Sequence, residues 1–270
     1  MKKALRSFVP CALALACGDA YAAITWNVTG TPTAGVTVSG YSNTGNISGK
    51  TDKQNNANNG EIQTIQAAQL VSYVGGLGIT NADKCSSGKY CDLQEGTNPE
   101  HSLDNNGRYD MVLLKFSAPV KLTGLTIGWK SGDSDMSVLA YTGSGAVTTS
   151  NYATDKNFVG LTYSELLSKG WTAIGNYADV ATNAVKSINS VNVVSSYWLI
   201  GAYNPLAINA LANPLGGTAF STSSYDYVKL ASVTGFYAVP EPGSLALAAV
   251  ALAGLGFAVR RSRAQASATA

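Results

Sequence analysis

Histidine is almost missing from this chain. One residue, His101, is the only imidazole in 270 residues. No zinc site built on several histidines is therefore available. Charge is sparse too, at 13% of residues. Six of the 18 basic residues (Lys2, Lys3, Arg6, Arg260, Arg261 and Arg263) sit near the ends, as do two of the 16 acidic ones, Asp19 and Glu241. The stretch between keeps 12 basic and 14 acidic residues, a net charge of −2. It carries no basic stripe, which argues against a nucleic-acid partner. Cysteine is scarce as well, with four in all. What is abundant is Gly, Ser, Thr, Asn and Tyr, the texture of an extracellular β protein with polar loops.

The start of the chain reads as an export signal. Lys2, Lys3 and Arg6 form a basic start, Phe8 to Ala16 is mostly apolar, and Ala20-Tyr21-Ala22 is an A-x-A site. Cleavage between Ala22 and Ala23 is expected, so residues 1–22 are a signal peptide and not part of the fold. Cys11 and Cys17 leave with it.

The other end has three parts. Val239-Pro240-Glu241-Pro242 comes first, then an apolar run, then Arg260, Arg261 and Arg263. Each proline fixes its own φ and biases its predecessor toward extended geometry. Glu241 is thus expected in an extended strip. Leu245 to Val259 is fifteen residues without a charge. As a helix it is about 22 Å long, short of a hydrocarbon core of about 30 Å. A transmembrane helix over 244–259 is a marginal span, and the basic tail 260–263 is a stop-transfer cluster on the cytoplasmic side.

This tripartite layout resembles the PEP-CTERM sorting signal of bacterial surface proteins. The resemblance implies an exosortase as partner, recognition of residues 239–242, and cleavage near them. It also implies a membrane-held intermediate at the inner membrane, then delivery to the cell surface or outside, with an association to exopolysaccharide and biofilm matrix. A broader likeness covers residues 95 to 240. His101-Ser-Leu-Asp-Asn105, Tyr109 to Phe116, Gly128 to Asp135, Trp171 and Tyr197 to Gly201 resemble one group of exosortase-dependent surface proteins. That group implies no enzymatic activity.

Residues 23–238 suit a single domain. Short β-rich runs dominate: Ile24–Val28, Val36–Tyr41, Asp110–Phe116, Leu122–Trp129, Met136–Tyr141, Trp171–Tyr177, Tyr197–Ala202 and Tyr227–Val239. A turn at Pro119 is expected between the third and fourth. Two helices are expected, one over Glu61–Tyr73, rich in Gln and Ala, and one from the capping box Thr162-Tyr-Ser-Glu165 to a stop at Gly170. The expected fold is all-β, a β-sandwich or jelly roll with one or two short helices.

Few residues offer chemistry. Cys85 and Cys91 in CSSGKYC are read as a disulfide, the usual fate of two nearby cysteines outside the cytoplasm. A hydrolytic triad from His101, Ser102 and Asp104 would need geometry that sequence neighbours rarely supply. Gly45 to Thr51 is one residue too short for a phosphate-binding loop. Asp133 and Asp135, one residue apart on a turn, are a candidate Ca²⁺ pair, and otherwise cap local amides. Asp104, Asn105, Asn106 and Asp110 form a second oxygen-rich group. Tyr141, Trp171, Tyr177, Tyr197, Trp198 and Tyr203 are candidates for stacking on sugar rings, or for the core. The expectation is a non-enzymatic surface or matrix protein. A carbohydrate-binding module is the alternative, and a secreted hydrolase a weaker one.

Overall fold

The computed structural model of the chain describes residues 22–45, 63–84, 86, 92–150, 155–208, 225–238 and 251–256. The fold is all-β. Eleven strands are joined in one hydrogen-bonded ladder. They are β1 (Ile24–Asn27), β2 (Val36–Gly45), β3 (Thr64–Tyr73), β4 (Gly76–Thr80), β5 (Leu103–Asp104), β6 (Asp110–Gly132), β7 (Met136–Tyr141), β8 (Trp171–Tyr177), β9 (Lys186–Ser187), β10 (Ser195–Ala202) and β11 (Asp226–Tyr237).

Strand β6 organises the rest. Its first half pairs with β2, from Ser42↔Asp110 to Val36↔Phe116, and with β10 on the other side. Its second half pairs with β11, from Tyr237↔Val120 to Asp226↔Gly132. The expected turn at Pro119 is therefore absent. The chain runs straight through and changes partners there instead. Proline has no N–H to give a ladder, and it is tolerated where pairing is interrupted. Lys115↔Tyr197 and Val120↔Ser195 bracket that interruption. The path β6–β2–β3–β4–β11 then returns to β6, closing a circuit through the single pair Leu230↔Leu77.

The first expected helix is also corrected. Thr64–Tyr73 is a strand, held between β2 and β4. Its exposure alternates along most of its length, and Ile65 is fully buried. Gln and Ala favour helix only weakly, and pairing on both sides outweighs that preference. The second expected helix is present as a 3-10 helix over Tyr163–Lys169. Thr162 donates its N–H to the Glu165 carboxylate at 2.8 Å, and Gly170 ends the turn at φ 92°.

Two apolar cores lie on opposite faces of the β2–β6–β10–β7 region. Val112, Leu114, Met136, Val138, Trp198 and Ile200 point to one, where Trp26 meets Phe116 edge-on at 5.0 Å. Met111, Leu113, Leu139, Tyr141 and Leu199 point to the other. There the segment around Phe158, Tyr163 and Leu166 covers them. Both faces are therefore dry, which is why MSVLAY and YWLIGA are almost wholly apolar. Each fully buried Leu, Ile or Phe contributes about 1.5–3 kcal/mol relative to exposure.

Candidate functional site

The two processing signals flank one pair of strands. Ala22 and Ala23 are exposed and lead directly into β1. Strand β1 runs antiparallel to β11, with Ile24 opposite Gly235. The start of the domain therefore lies beside its end. Strand β11 stops at Tyr237, and Ala238 donates its N–H to the Pro119 carbonyl at 2.8 Å. The fold is tied off one residue before Val239. Val239, Pro240, Glu241 and Pro242 lie outside the described residues, as do Arg260, Arg261, Arg263 and the Cys85 and Cys91 pair. Residues 251–256 are helical. Among the described residues no helix is long and apolar enough to cross a membrane. The flanks of the CSSGKYC stretch do meet, since Asp92 donates its N–H to the Asp83 carbonyl at 2.8 Å.

Asp133 and Asp135 are joined by a residue that the sequence did not suggest, Asp226 at the start of β11. Carboxylate oxygens of the three approach within 4.8 Å of one another. Each is also a clasp for backbone amides. Asp226 accepts the Asp135 N–H at 2.7 Å and the Asn105 side-chain amide at 2.7 Å. Asp135 accepts the Asp179 N–H at 2.9 Å, and Asp133 accepts the Ser134 N–H at 2.9 Å. Burial pushes Asp226 up to about 8, against the hydrogen bond from the Asp135 N–H. It pushes Asp135 up to about 6.

A second, more deeply buried group of acids gathers where the segment 81–110 crosses β4 and β11. Asp92, Glu95 and Glu100 bring carboxylate oxygens within 4.8 Å of one another, and all three are buried. The segment lies hard against β4. A Cβ on Gly78 would stand 1.9 Å from the His101 carbonyl, so only glycine fits there. Asn81 links two of the acids: its N–H donates to Glu95 Oε1 at 2.8 Å, and its amide reaches Asp110 Oδ1 at 3.4 Å. Asn106 links two more: its N–H donates to Asp104 Oδ1 at 2.9 Å, and its side chain to Glu100 Oε1 at 2.6 Å. Arg108 is buried beside them and pairs with Asp83 and Gln63. Of the oxygen-rich set Asp104, Asn105, Asn106 and Asp110, all but Asn105 enter this network. Asn105 turns to Asp226.

Burial is the chief influence on these acids. It pushes Glu95 up to about 9, with the Asp110 charge adding to the rise. It pushes Asp110 up to about 7 against the hydrogen bond from Asn81. Asp104 is raised well above the usual carboxylate range by burial, then by the charges of Asp110 and Glu95.

His101 is not part of a triad. Its Nε2 lies 2.8 Å from Lys229 Nζ, and a lysine ammonium can only donate. Lys229 in turn sits over Trp129 at 4.3 Å and Tyr73 at 4.8 Å. Burial and then the Lys229 charge lower the His101 pKa. Ser102 gives its hydroxyl to the Pro99 carbonyl at 2.8 Å. The aromatic candidates for sugar stacking are largely spent in the core: Tyr141, Trp171, Tyr177, Trp198 and Tyr203 are buried, and Tyr197 is half-buried.

Against known proteins, residues 238–262 match the family model of the PEP-CTERM protein-sorting motif. No curated protein and no solved structure matches the chain. The chain thus carries a PEP-CTERM sorting signal, the mark of an extracellular protein sorted through an exosortase at the membrane.

Proposed function

We propose, from the premise of that sorting signal, that residues 23–238 are a non-catalytic structural domain of the cell surface or extracellular matrix. The signal is read as an address that is cut away without disturbing the domain. The carrying observation is the position of the boundary. Strand β11 ends at Tyr237, its last amide bond is made by Ala238, and the matched signal begins at 238. Cleavage within residues 239–242 leaves β11 and the Ala238 bond to Pro119 on the domain side of the cut.

A matrix role suits the chemistry of the domain better than a lectin role. Stacking on sugars needs exposed aromatic faces, and the large aromatic side chains here are mostly in the two cores. Nor do Ser102, His101 and Asp104 form a nucleophile, base and acid in line.

The test is cellular. Glu241→Ala is expected to leave the full-length chain in the membrane fraction and uncleaved, whereas the native chain reaches the surface with its C-terminal segment removed. Intact mass of surface-recovered protein reads both ends. A surface form with residues 239–265 still attached would overturn the reading. Retention by exopolysaccharide columns would favour the carbohydrate-binding alternative.

A further inference from the structure

The end of the domain from which the sorting signal leaves has a face of its own. Its centre is Pro119, whose carbonyl holds the Ala238 N–H. Exposure alternates along β6 here. Lys115, Ser117 and Pro119 are exposed and Lys121 is half-buried, while Phe116, Val120 and Leu122 are buried. Side chains two apart in a strand share a side, so Lys115, Pro119 and Lys121 stand on one face. Each lysine lies over the ring of its cross-strand partner. Lys115 is opposite Tyr197, with Nζ 6.0 Å from the ring centre, and Lys121 is opposite Phe236, at 5.7 Å. Val194 is 42% exposed and precedes Ser195, the partner of Val120. No Asp or Glu occurs in residues 115–132, 180–208 or 227–238, the stretches that build this face. The acids gather where β6 begins and ends, at Asp110 and beside Gly132, and not at its middle.

We propose that this face rests on an anionic lipid surface while the sorting signal is read. The inference rests on the sorting reading, because the signal is what brings this end of the domain to the membrane. Residues 239–242 follow Ala238 directly, and four residues span at most about 14 Å. A motif processed at the membrane therefore holds Pro119 and its neighbours close to the headgroups. The chemistry of the face suits that place. Lysine ammonium groups attract lipid phosphates, and lysine stems and aromatic rings settle at the headgroup level. Val194 and Pro119 add apolar contact, and the strands supply no acid to repel the surface. Each lysine strengthens such a contact only about fivefold. The tether makes up the rest, since it turns a weak encounter into an intramolecular one. Contact is thus firm while the signal holds the chain and weak once it is cut, so cleavage itself frees the domain. Until then a domain seated this way offers residues 239–242 in one orientation.

The experiment uses the processed protein recovered from its native surface. It is mixed with vesicles of phosphatidylglycerol and phosphatidylcholine in equal parts, or of phosphatidylcholine alone. Co-sedimentation is expected with the first and not with the second. It is expected to vanish in about 1 M NaCl, where the Debye length is about 3 Å. Lys115→Gln/Lys121→Gln is expected to weaken the partition about 25-fold. Lys84→Gln/Lys130→Gln removes the same charge beside the acids and is expected to leave it unchanged. Val194→Glu places an acid on the face and is expected to weaken it. All these side chains are exposed or half-buried, so the fold is retained. In cells the Lys115/Lys121 variant is expected to leave a larger uncleaved share in the membrane fraction. Equal binding to both kinds of vesicle, or an unchanged partition in the Lys115/Lys121 variant, would overturn the proposal. So would slowed processing of that variant when the native protein ignores both vesicles, which would assign the face to the processing enzyme instead. The vesicle result needs no exosortase and the Glu241→Ala result needs no vesicle, so the two readings fail separately.

Discussion

The two groups of acids near the start of β11 use the same side chains over different ranges of the chain. Asp133, Asp135 and Asp226 spend their oxygens on amides from three parts of the chain: Ser134 and Asp135, Asp179, and the Asn105 side chain. They work as staples. Asp92, Glu95, Glu100 and Asp104 take their hydrogen bonds from nearby chain instead: Asp92 accepts the Gln94 and Glu95 N–H, Asn81 donates to both oxygens of Glu95, and Asn106 donates to Glu100 and Asp104. The difference teaches that proximity of carboxylates says little until their hydrogen bonds are counted. Buried acceptors that are satisfied stabilise a fold, whereas buried charges that face like charges oppose it.

Substituting the staple is expected to give the largest effect. Asp226→Ala leaves the Asp135 N–H and the Asn105 amide without their acceptor in a buried place. A loss of about 2–3 kcal/mol is expected. Urea midpoints would measure it, and an unchanged midpoint would show that Asp226 does not hold these amides in place.

A pH series reads both groups in the same direction, since Asp226 and Asp135 are raised as well, to about 8 and about 6. With no metal bound, Glu95 and Asp110 sit at about 9 and about 7 in the fold, above their ordinary carboxylate values. A raised folded pKa means that the folded state holds more protons. The stability it contributes is fully present below the unfolded value of about 4. It is lost as pH rises through the folded values. In EDTA the melting temperature is therefore expected to fall between pH 5 and pH 9. A melting temperature that rises across this range in EDTA would show that these acids are paired rather than opposed.

The smallest effect is far from both groups. Glu165→Ala removes the carboxylate that holds the Thr162 N–H, at an exposed 3-10 turn, and a loss of about 0.5–1 kcal/mol is expected. Those Thr162 hydrogen bonds hold Glu165 below its usual range. Its contribution is thus present above the ordinary glutamate pKa and is lost as pH falls through the depressed one. A variant that loses the same stability at low pH as at neutral pH would contradict that role.

The legibility of these features follows their range along the chain. Strands β7 and β8 begin and end where the alternation and the aromatic residues put them, at Met136–Tyr141 and Trp171–Tyr177. The Thr162–Glu165 box is a contact over three residues and is present. The pairing of β3 was not legible, because TIQAAQLVSY is neutral in propensity and is decided by β2 and β4. Nor was the role of Pro119, since a proline reads the same at a turn and at a change of partners. Asp133 and Asp135 stood out by adjacency. Asp226 comes from far along the chain and gave no signal of its own. Glu95 and Glu100 were missed because buried acids look, in sequence, like ordinary surface charges.

The sequence by itself determined the address of this protein and the material of its fold. A sorting signal must be read by an enzyme as a short linear strip, so its prolines, glutamate, apolar run and arginines are local by necessity. The β character is local too, carried by alternation and branched or aromatic residues. Only the tertiary structure decided that one strand serves both sides of the ladder, that β1 and β11 bring the two ends together, and which acids are stapled and which are crowded. Those outcomes depend on pairings between residues far apart in the chain. The energy of such a pairing belongs to neither residue alone.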